Sequence, residues 1–318
     1  MKWTLLFLLS ITMLAPMSRA ADDDAMYDQS KVPLEVEPPA DNKLPVIVLV
    51  AGKRSHGPGD HEFFAGTAIL MNMLKQNGVF PIMVRDGWPK NEKLFENAKS
   101  MFFYMDGGGG HPVAQQGRME RLQPLIDKGV GFVCAHYAVE YAGHKNADLK
   151  AKVLKWLGGY YETGWSINPH WDADISKLPD HPITRGVKPF KANDEWYYNM
   201  RWDEGMKGVT PILVATPPDK TRGTPEAKAH PGREEIMAWA FERPDGGRSF
   251  GFTGGHRHKN WGDENFRRLV VNALLWSAKL EVPTEGAKVE LDPADLMKNL
   301  DDKRPKPKPA DAKPAEKK

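Results

Sequence analysis

Histidines stand directly after three of the predicted strands, where their side chains could perform acid–base or metal chemistry. His56 and His61 follow the first predicted strand. His136 follows the fourth, and His256 follows the last. The ordinary pKa of imidazole lies near neutrality, so it can donate or accept a proton under physiological conditions. Because ligands of open α/β sheets bind at the carboxyl ends of the strands, we expect these imidazoles to meet in one site.

Carboxylates and glycines occupy comparable positions. Asp106 follows the third predicted strand and precedes a run of glycines, which lets the backbone approach a ligand closely. Asp194 and Glu195 are neighbours in a predicted strand and therefore point to opposite faces, so only one of them can face the site. The groups predicted to contact a substrate are His56, His61, Asp106, Gly107, Gly108, Tyr137, Trp196 and Tyr197.

Acid–base catalysis is the first chemistry that this set predicts. His136 and His256 would exchange protons with a substrate, and Glu195 or Asp194 would serve as an additional acid or base. Positioned groups of this kind typically contribute about 10²–10⁴-fold to the rate.

A divalent metal, with zinc as the first choice, is the alternative. The predicted ligands are His56, His136 and His256, with His61 as an alternative to His56 and a carboxylate as a further ligand. Three nitrogen or oxygen ligands with one open position are typical of catalytic zinc. The spacing matches no standard zinc motif, so both chemistries stay open.

The single cysteine, Cys134, lies two residues before His136. A nucleophile elbow exposes the residue at a sharp strand-to-helix turn and needs small residues two positions before and after it. Around Cys134 those positions hold Phe132 and His136, which are too bulky, whereas His136 is flanked by Cys134 and Ala138. We therefore predict His136 at the turn and Cys134 packed as a small apolar residue inside the strand.

Strands and helices alternate through the first half of the chain, which predicts a doubly wound, mostly parallel α/β sheet. After Tyr160 the predicted strands follow one another without helices, so antiparallel additions are expected there. The predicted strands are residues 45–51, 80–84, 101–105, 130–135, 165–175, 194–202, 210–215, 236–242 and 249–253. The predicted helices are residues 61–76, 114–128 and 265–279, with a kink or an early end expected at Pro124.

Composition restricts the partners. Apolar residues make up 41% of the 318 residues, enough for a sizeable core, and the net charge is only +2. A nearly neutral chain lacks the basic face that nucleic-acid binding needs. One cysteine excludes an internal disulfide. The sequence leaves the oligomeric state open.

Residues 1–20 are predicted to be a cleavable signal peptide, with Lys2 before an apolar stretch and Ala20 before the cleavage site. The apolar stretch is shorter than the roughly 20 residues of a membrane span. The mature chain is therefore expected to be secreted or periplasmic without a membrane span, and an uncleaved anchor is the alternative. The other segments are predicted to be a linker or N-terminal arm (21–42), one domain (43–281) and a Lys/Pro-rich C-terminal extension (282–318), disordered from about residue 299.

Several motifs, taken in order, resemble the ThuA-like (trehalose utilisation) family over roughly residues 43–281. That family is similar to the class I glutamine amidotransferase-like superfamily, which implies a flavodoxin-like sheet. The motifs are Ser55-His56-Gly57-Pro58-Gly59-Asp60-His61-Glu62-Phe63, Tyr104-Met105-Asp106-Gly107-Gly108, Gly131-Phe132-Val133-Cys134-Ala135-His136, Asp180-His181-Pro182-Ile183-Thr184-Arg185-Gly186, Asp194-Glu195-Trp196-Tyr197 and Phe252-Thr253-Gly254-Gly255-His256.

The resemblance implies a role in sugar utilisation, with a small carbohydrate as the expected partner and acid–base chemistry on a sugar or an oxidised (keto) sugar. It also argues against glutaminase activity. The amidotransferase-like fold carries a cysteine at the elbow and a late histidine as its base, and here His136 and His256 take those positions. Imidazole cannot replace a thiolate in forming an acyl-enzyme with glutamine. A non-catalytic carbohydrate-binding or scaffold module is the alternative, with aromatic rings to stack on sugars. Those rings would belong to Trp165, Trp171, Trp196, Trp202 and Trp261.

Overall fold

A seven-stranded sheet forms the centre of the computed structural model, which describes residues 24–305. The predicted signal peptide and residues 306–318 lie outside the described residues. Eleven strands are numbered in chain order: β1 (Val46–Ala51), β2 (Phe80–Val84), β3 (Ala98–Tyr104), β4 (Gly131–Ala135), β5 (Gly159–Tyr160), β6 (His170–Ile175), β7 (Phe190–Glu195), β8 (Arg201–Trp202), β9 (Val209–Ala215), β10 (Glu235–Glu242) and β11 (Arg248–Phe252).

The central sheet has the order β2-β1-β3-β4-β11-β10-β9. The pairs from β2 to β11 are parallel, and β10 and β9 add antiparallel strands at one end. This confirms the predicted doubly wound, mostly parallel α/β fold with antiparallel additions. The order of the parallel strands is that of flavodoxin, with β11 in the fifth position. The carboxyl ends of β1, β3, β4 and β11 therefore share one edge.

Helices cover both faces of the sheet. Alternate side chains of β1 point to opposite faces, so Ile47 and Leu49 join one core cluster and Val48 joins the other. Helices α1 and α5 pack on the first face, and α2 and α3 pack on the second. The helices are α1 (Phe63–Gln76), α2 (Arg118–Asp127), α3 (Ala147–Leu157), the single turn α4 (Pro225–Lys228) and α5 (Glu264–Ser277).

Two helix predictions are corrected, and one multi-turn helix was missed. Helix α1 begins at Phe63 and not at His61, because His61 has a φ of +49°, outside the helical region. Helix α2 begins at Arg118, after a left-handed Gly117, and continues through Pro124. Helix α3 was not predicted at all.

Two small antiparallel sheets, β5-β8 and β6-β7, extend the second half. In β6 the residues alternate between exposed and buried, so Trp171 faces the core while His170 and Asp172 face outward. The strands predicted at 165–175 and 194–202 are thus shorter or shifted. As a result, Asp194 and Glu195 come at the end of β7.

Both ends of the described chain pack on the domain. Val282, Val289 and Leu300 are buried, and the Leu300 amide donates to the Met26 carbonyl oxygen at 2.9 Å. The prediction of disorder from about residue 299 is therefore wrong for residues 299–305, because their backbone and side chains bond to the N-terminal arm and to the loop after β1. Among residues 24–305, none of the helices combines the length and apolar character that crossing a bilayer requires.

Trp196 tests the packing behind the site. Its fully buried ring contacts Phe252 and Phe266, and its Nε1 donates to the Ala192 carbonyl oxygen at 3.0 Å. Trp196→Ala is expected to lower the free energy of unfolding, measured by urea denaturation, by about 3–5 kcal/mol. Trp165→Ala should cost less, since that ring is only half-buried. A smaller loss for Trp196→Ala than for Trp165→Ala would contradict this packing.

Candidate functional site

Three imidazoles meet at the carboxyl edge of the central sheet. Nε2 of His61 lies 2.9 Å from Nε2 of His136 and 3.0 Å from Nδ1 of His256, and the last two nitrogens are 3.3 Å apart. The histidines follow β1, β4 and β11, whose carboxyl ends lie along the same edge of the sheet, with β3 between β1 and β4. The expected convergence of histidines from distant parts of the chain is therefore observed.

Glu195 completes the group from the end of β7. Its Oε2 lies 3.1 Å from Nδ1 of His256 and 3.5 Å from Nε2 of His136. Its Oε1 accepts a hydrogen bond from Nδ2 of Asn168 at 3.1 Å, which orients the carboxylate. We refer to His61, His136, His256 and Glu195 as the His–Glu cluster.

Backbone strain accompanies the cluster. His61 and His136 have φ values of +49° and +54°, a left-handed conformation that is uncommon for residues other than glycine. His136 takes it directly after β4, as predicted for the turn residue. Conformations of this kind cost about 1–3 kcal/mol each and persist where the surroundings enforce them, often at functional sites.

Cys134 lies in β4, away from the cluster. Its side chain is fully buried and 3.7 Å from the hydroxyl of Tyr141. Burial raises the pKa of the Cys134 thiol to about 12, so the reactive thiolate does not form near neutral pH. This agrees with the prediction of an inert residue inside the strand.

Each histidine also has a partner for its second ring nitrogen. Nδ1 of His136 lies 3.0 Å from the carbonyl oxygen of Thr253, and because a carbonyl only accepts, this nitrogen carries the proton. Nδ1 of His61 lies 2.9 Å from Oδ1 of Asp106. Nε2 of His256 lies 3.5 Å from Oδ2 of Asp60. These contacts direct the unprotonated nitrogens of His61 and His136 into the cluster.

Burial determines the charge of these groups. It lowers the pKa of His61 and lowers the pKa of His136 well below the ordinary value. Burial acts in the same direction on His256, but the hydrogen bond and the charge of Glu195, together with the charges of Asp60 and Asp194, outweigh it and raise the pKa of His256. Although burial opposes it, the bonds from His61 and Ser55 hold the pKa of Asp106 below its ordinary value. His61 and His136 are therefore neutral, with lone pairs facing each other.

The geometry of the cluster fits a metal ion. Four ligands about 2.0–2.1 Å from zinc, at the corners of a tetrahedron, lie about 3.4 Å apart. The separations among His61, His136 and His256, and those from Glu195 to His136 and His256, run from 2.9 to 3.5 Å. Three imidazole nitrogens and one carboxylate oxygen are ligands that zinc and other divalent transition metals accept.

Of the two alternatives His56 and His61, it is His61 that lies beside His136 and His256 in the cluster. The amide of His61 donates to the carbonyl oxygen of His256 at 2.9 Å, and this contact turns the His61 ring inward. His56 is exposed and stacks on His61 with ring centroids 3.5 Å apart. It forms a second potential ligand group with His61 and Asp106.

Asp194 and Trp196 also lie where the prediction did not place them. Asp194 is fully buried and accepts hydrogen bonds from the amides of Gly255 and Arg257 and from Asn260, so it fixes the loop that carries His256 and does not face the cluster. Trp196 is in the core and cannot touch a substrate. Glu195 is thus the member of the acidic pair that faces the site.

The remaining predicted residues surround the cluster at different depths. The hydroxyl of Tyr197 lies 3.4 Å from Nε2 of His136 and from Oε2 of Glu195, but the ring is buried. Tyr137 is half-buried beside His61. At Gly107, a Cβ would lie 2.1 Å from the carbonyl oxygen of Tyr137, so glycine permits a close backbone contact there. Gly108 donates its amide to the carbonyl oxygen of Glu140 at 2.9 Å, which fixes the loop carrying Asp106.

Sequence reasoning missed several residues that contact the cluster. Asn168 binds Glu195, Asp60 faces His256, and the exposed ring of His170 lies 4.8 Å from that of His256. Asp60 stands in the histidine-bearing loop after β1, so its position could have been suspected. Asn168 and His170 carry no motif, and only the fold of the second half brings them to the site.

The sheet order and the His–Glu cluster define an α/β protein of the flavodoxin-like class with a polar centre at its carboxyl edge. Residues 47–277 match the family model for trehalose utilisation (ThuA), so the chain belongs to the ThuA family. No curated protein matches the chain.

Solved structures resemble the chain, and two of them illustrate the likeness. A ThuA-like protein from Bacteroides uniformis ATCC 8492 has a TM-score of 0.51 and 15% identity, covering 76% of this chain and 95% of that one. This likeness shows a shared fold. The N-terminal domain of mmIFT52 gives a TM-score of 0.43 and 10% identity, covering 75% of this chain and 99% of that domain.

The state of Cys134 can be tested by thiol labelling. In the native protein at mildly alkaline pH, Ellman's reagent is expected not to react, because the thiol is buried and its pKa is raised. In guanidinium chloride the same sample should release the signal of one thiol per chain. Rapid labelling of the native protein would show instead that the thiol is accessible.

Proposed function

We propose that this protein is a metal-dependent enzyme acting on a carbohydrate, within the trehalose-utilisation role that its family implies. The observation that carries the proposal is the contact between Nε2 of His61 and Nε2 of His136 at 2.9 Å. Both nitrogens are lone-pair acceptors, since their rings donate through Nδ1 to Asp106 and Thr253. Two facing lone pairs repel each other, and a cation between them removes that repulsion.

The proposed ligands are His61, His136, His256 and Glu195. When bound, a divalent metal such as zinc would act as a Lewis acid toward a sugar carbonyl or hydroxyl oxygen. Asp106 and Asp60 orient the imidazoles from outside, an arrangement typical of metal sites in proteins. Asn168 does the same for the carboxylate of Glu195.

Polar groups around the cluster suit a substrate rich in hydroxyl groups. His56 and His170 are exposed beside the cluster, and Tyr137 is half-buried there. Glu140 is half-buried, accepts a hydrogen bond from Thr163 at 2.8 Å, and has its pKa raised by burial. These residues can bind sugar hydroxyls and transfer protons, which supports a hydrolase, lyase or isomerase.

The alternative of a non-catalytic binding module has less support. It relied on aromatic rings free to stack on a sugar. Trp171, Trp196 and Trp261 are buried in the core, and the ring of Trp165 is covered on one side by Arg201 at 3.6 Å. These tryptophans therefore form no aromatic platform beside the cluster, which is surrounded mainly by ionisable groups.

Metal content is the direct test. Protein purified without a histidine tag is expected to hold one divalent metal per chain by elemental analysis. Turnover of a panel of disaccharides and their 3-keto derivatives should stop on chelation and return when metal is restored. His61→Ala, His136→Ala and Glu195→Gln should each lose the metal, because each removes a ligand.

His230→Ala is the matched control, since His230 is an exposed histidine outside the cluster whose nearest acidic partner is Glu226 at 3.4 Å. It should keep both metal and activity. Turnover that persists after complete removal of metal would exclude the metal centre and leave acid–base catalysis by His136 and His256. Binding without turnover, surviving His136→Ala together with His256→Ala, would favour the binding module.

A secreted or periplasmic location is part of the proposal. It is supported by the charged start at Lys2, the apolar stretch that follows and the small residue Ala20. N-terminal sequencing of the mature protein from a cell that exports it should begin at Ala21. Recovery of the intact N-terminus from the membrane fraction would indicate an uncleaved anchor instead.

A further inference from the structure

A buried lysine from the C-terminal extension reaches the loop that carries His61. We call residues 283–305 the C-terminal strap; it lies beyond residues 47–277, which match the family model. The side chain of Lys303 is only 2% exposed, and its Nζ lies 3.1 Å from Oε1 of Glu62, which is 1% exposed. Burying both charges is costly unless each is fully hydrogen-bonded. The contacts of this pair therefore fix the strap against the loop after β1.

Lys303 contacts both residues that flank His61. Its Nζ donates to the carbonyl oxygen of Asp60 and to the carboxylate of Glu62. Glu62 also accepts the amide of Gly59 at 3.1 Å and the amide of Asp301 at 2.7 Å, so its carboxylate joins the strap to the loop. The segment around His61 is thereby bonded to Lys303 on each side.

This position matters because His61 has a left-handed backbone conformation, which must be enforced by its surroundings. The side chain of Asp60, 3.5 Å from Nε2 of His256, sits on the same held segment. The strap itself is anchored independently, since the carbonyl oxygen of Leu296 accepts from Nε2 of His258 at 2.8 Å and the amide of Leu300 donates to Met26. It can therefore serve as a fixed support for the loop.

We infer that Lys303 is a positioning residue of the metal centre, which holds the ligand His61 and the orienting residue Asp60 in place from the C-terminal strap. The inference rests on the proposed function. It adds that the metal site is completed by a segment outside the family-matched domain, so that a chain shortened before Lys303 would retain every ligand and still bind metal poorly.

The experiment compares Zn²⁺ affinity, measured by competition with a chromophoric chelator, and the visible spectrum of the Co²⁺-loaded full-length chain. Lys303→Met is expected to weaken Zn²⁺ binding about 10–100-fold, the range found when outer-sphere contacts of metal ligands are removed. Its Co²⁺ spectrum should shift, because His61 is no longer fixed. Lys303→Arg should restore most of the affinity, and Lys303→Gln, which keeps a donor for Asp60, should be intermediate.

Lys298→Met is the matched control, because Lys298 lies on the same strap but is exposed and pairs with the half-buried Asp295, away from His61. It should bind Zn²⁺ as the wild type does. If Lys303→Met does not fold, judged by circular dichroism, Lys303→Gln takes its place in the comparison. Wild-type Zn²⁺ affinity and an unchanged Co²⁺ spectrum in the Lys303 variants would overturn the role of Lys303 but leave the proposed metal centre intact. Failure of the wild-type chain to bind either metal would overturn the proposed metal centre as well.

Discussion

Two ring nitrogens that can only accept a hydrogen bond, Nε2 of His61 and of His136, are held 2.9 Å apart, and much of the structure serves to keep them there. Asp106 and the carbonyl of Thr253 fix the protons on the far sides of the rings. The buried setting keeps both imidazoles neutral. Two facing lone pairs repel each other, and the left-handed backbone of both histidines adds a further unfavourable free energy. Favourable contacts in the sheet and in the C-terminal strap must offset both.

The sheet could be predicted from the sequence because its signals are local. Apolar runs separated by amphipathic segments specify parallel strands, and parallel strands deliver their carboxyl ends to one edge. That rule alone placed His136 and His256 in a common site, although 120 residues separate them. The choice of His136 over Cys134 as the turn residue needed only the sizes of the neighbouring side chains, and His136 does take the left-handed conformation there.

What could not be predicted depends on single backbone angles and on packing between distant segments. The sequence places His56 and His61 in one loop, and only the amide contact of His61 with His256 decides which ring turns inward. Strand alternation shows that Asp194 and Glu195 face opposite ways but not which faces the site. Trp196 follows the end of β7, so strand parity no longer applies and the core determines its position. The segment after residue 299 is polar, and its composition alone predicts disorder. The contact that orders it joins Lys303 to Glu62, which lies far away in the sequence, so no local pattern reveals it.

The sharp turn after β4 determines which side chain this strand contributes to the cluster. In the amidotransferase-like fold that the sequence resembles, such a turn presents a cysteine for attack, and a late histidine accepts its proton. Here the turn presents the imidazole of His136, which is a poor acyl-enzyme former but a good metal ligand. The late histidine, His256, then has no thiol to activate and instead lies 3.1 Å from Glu195. The same backbone geometry that would expose a nucleophile thus brings a nitrogen lone pair to the edge of the sheet.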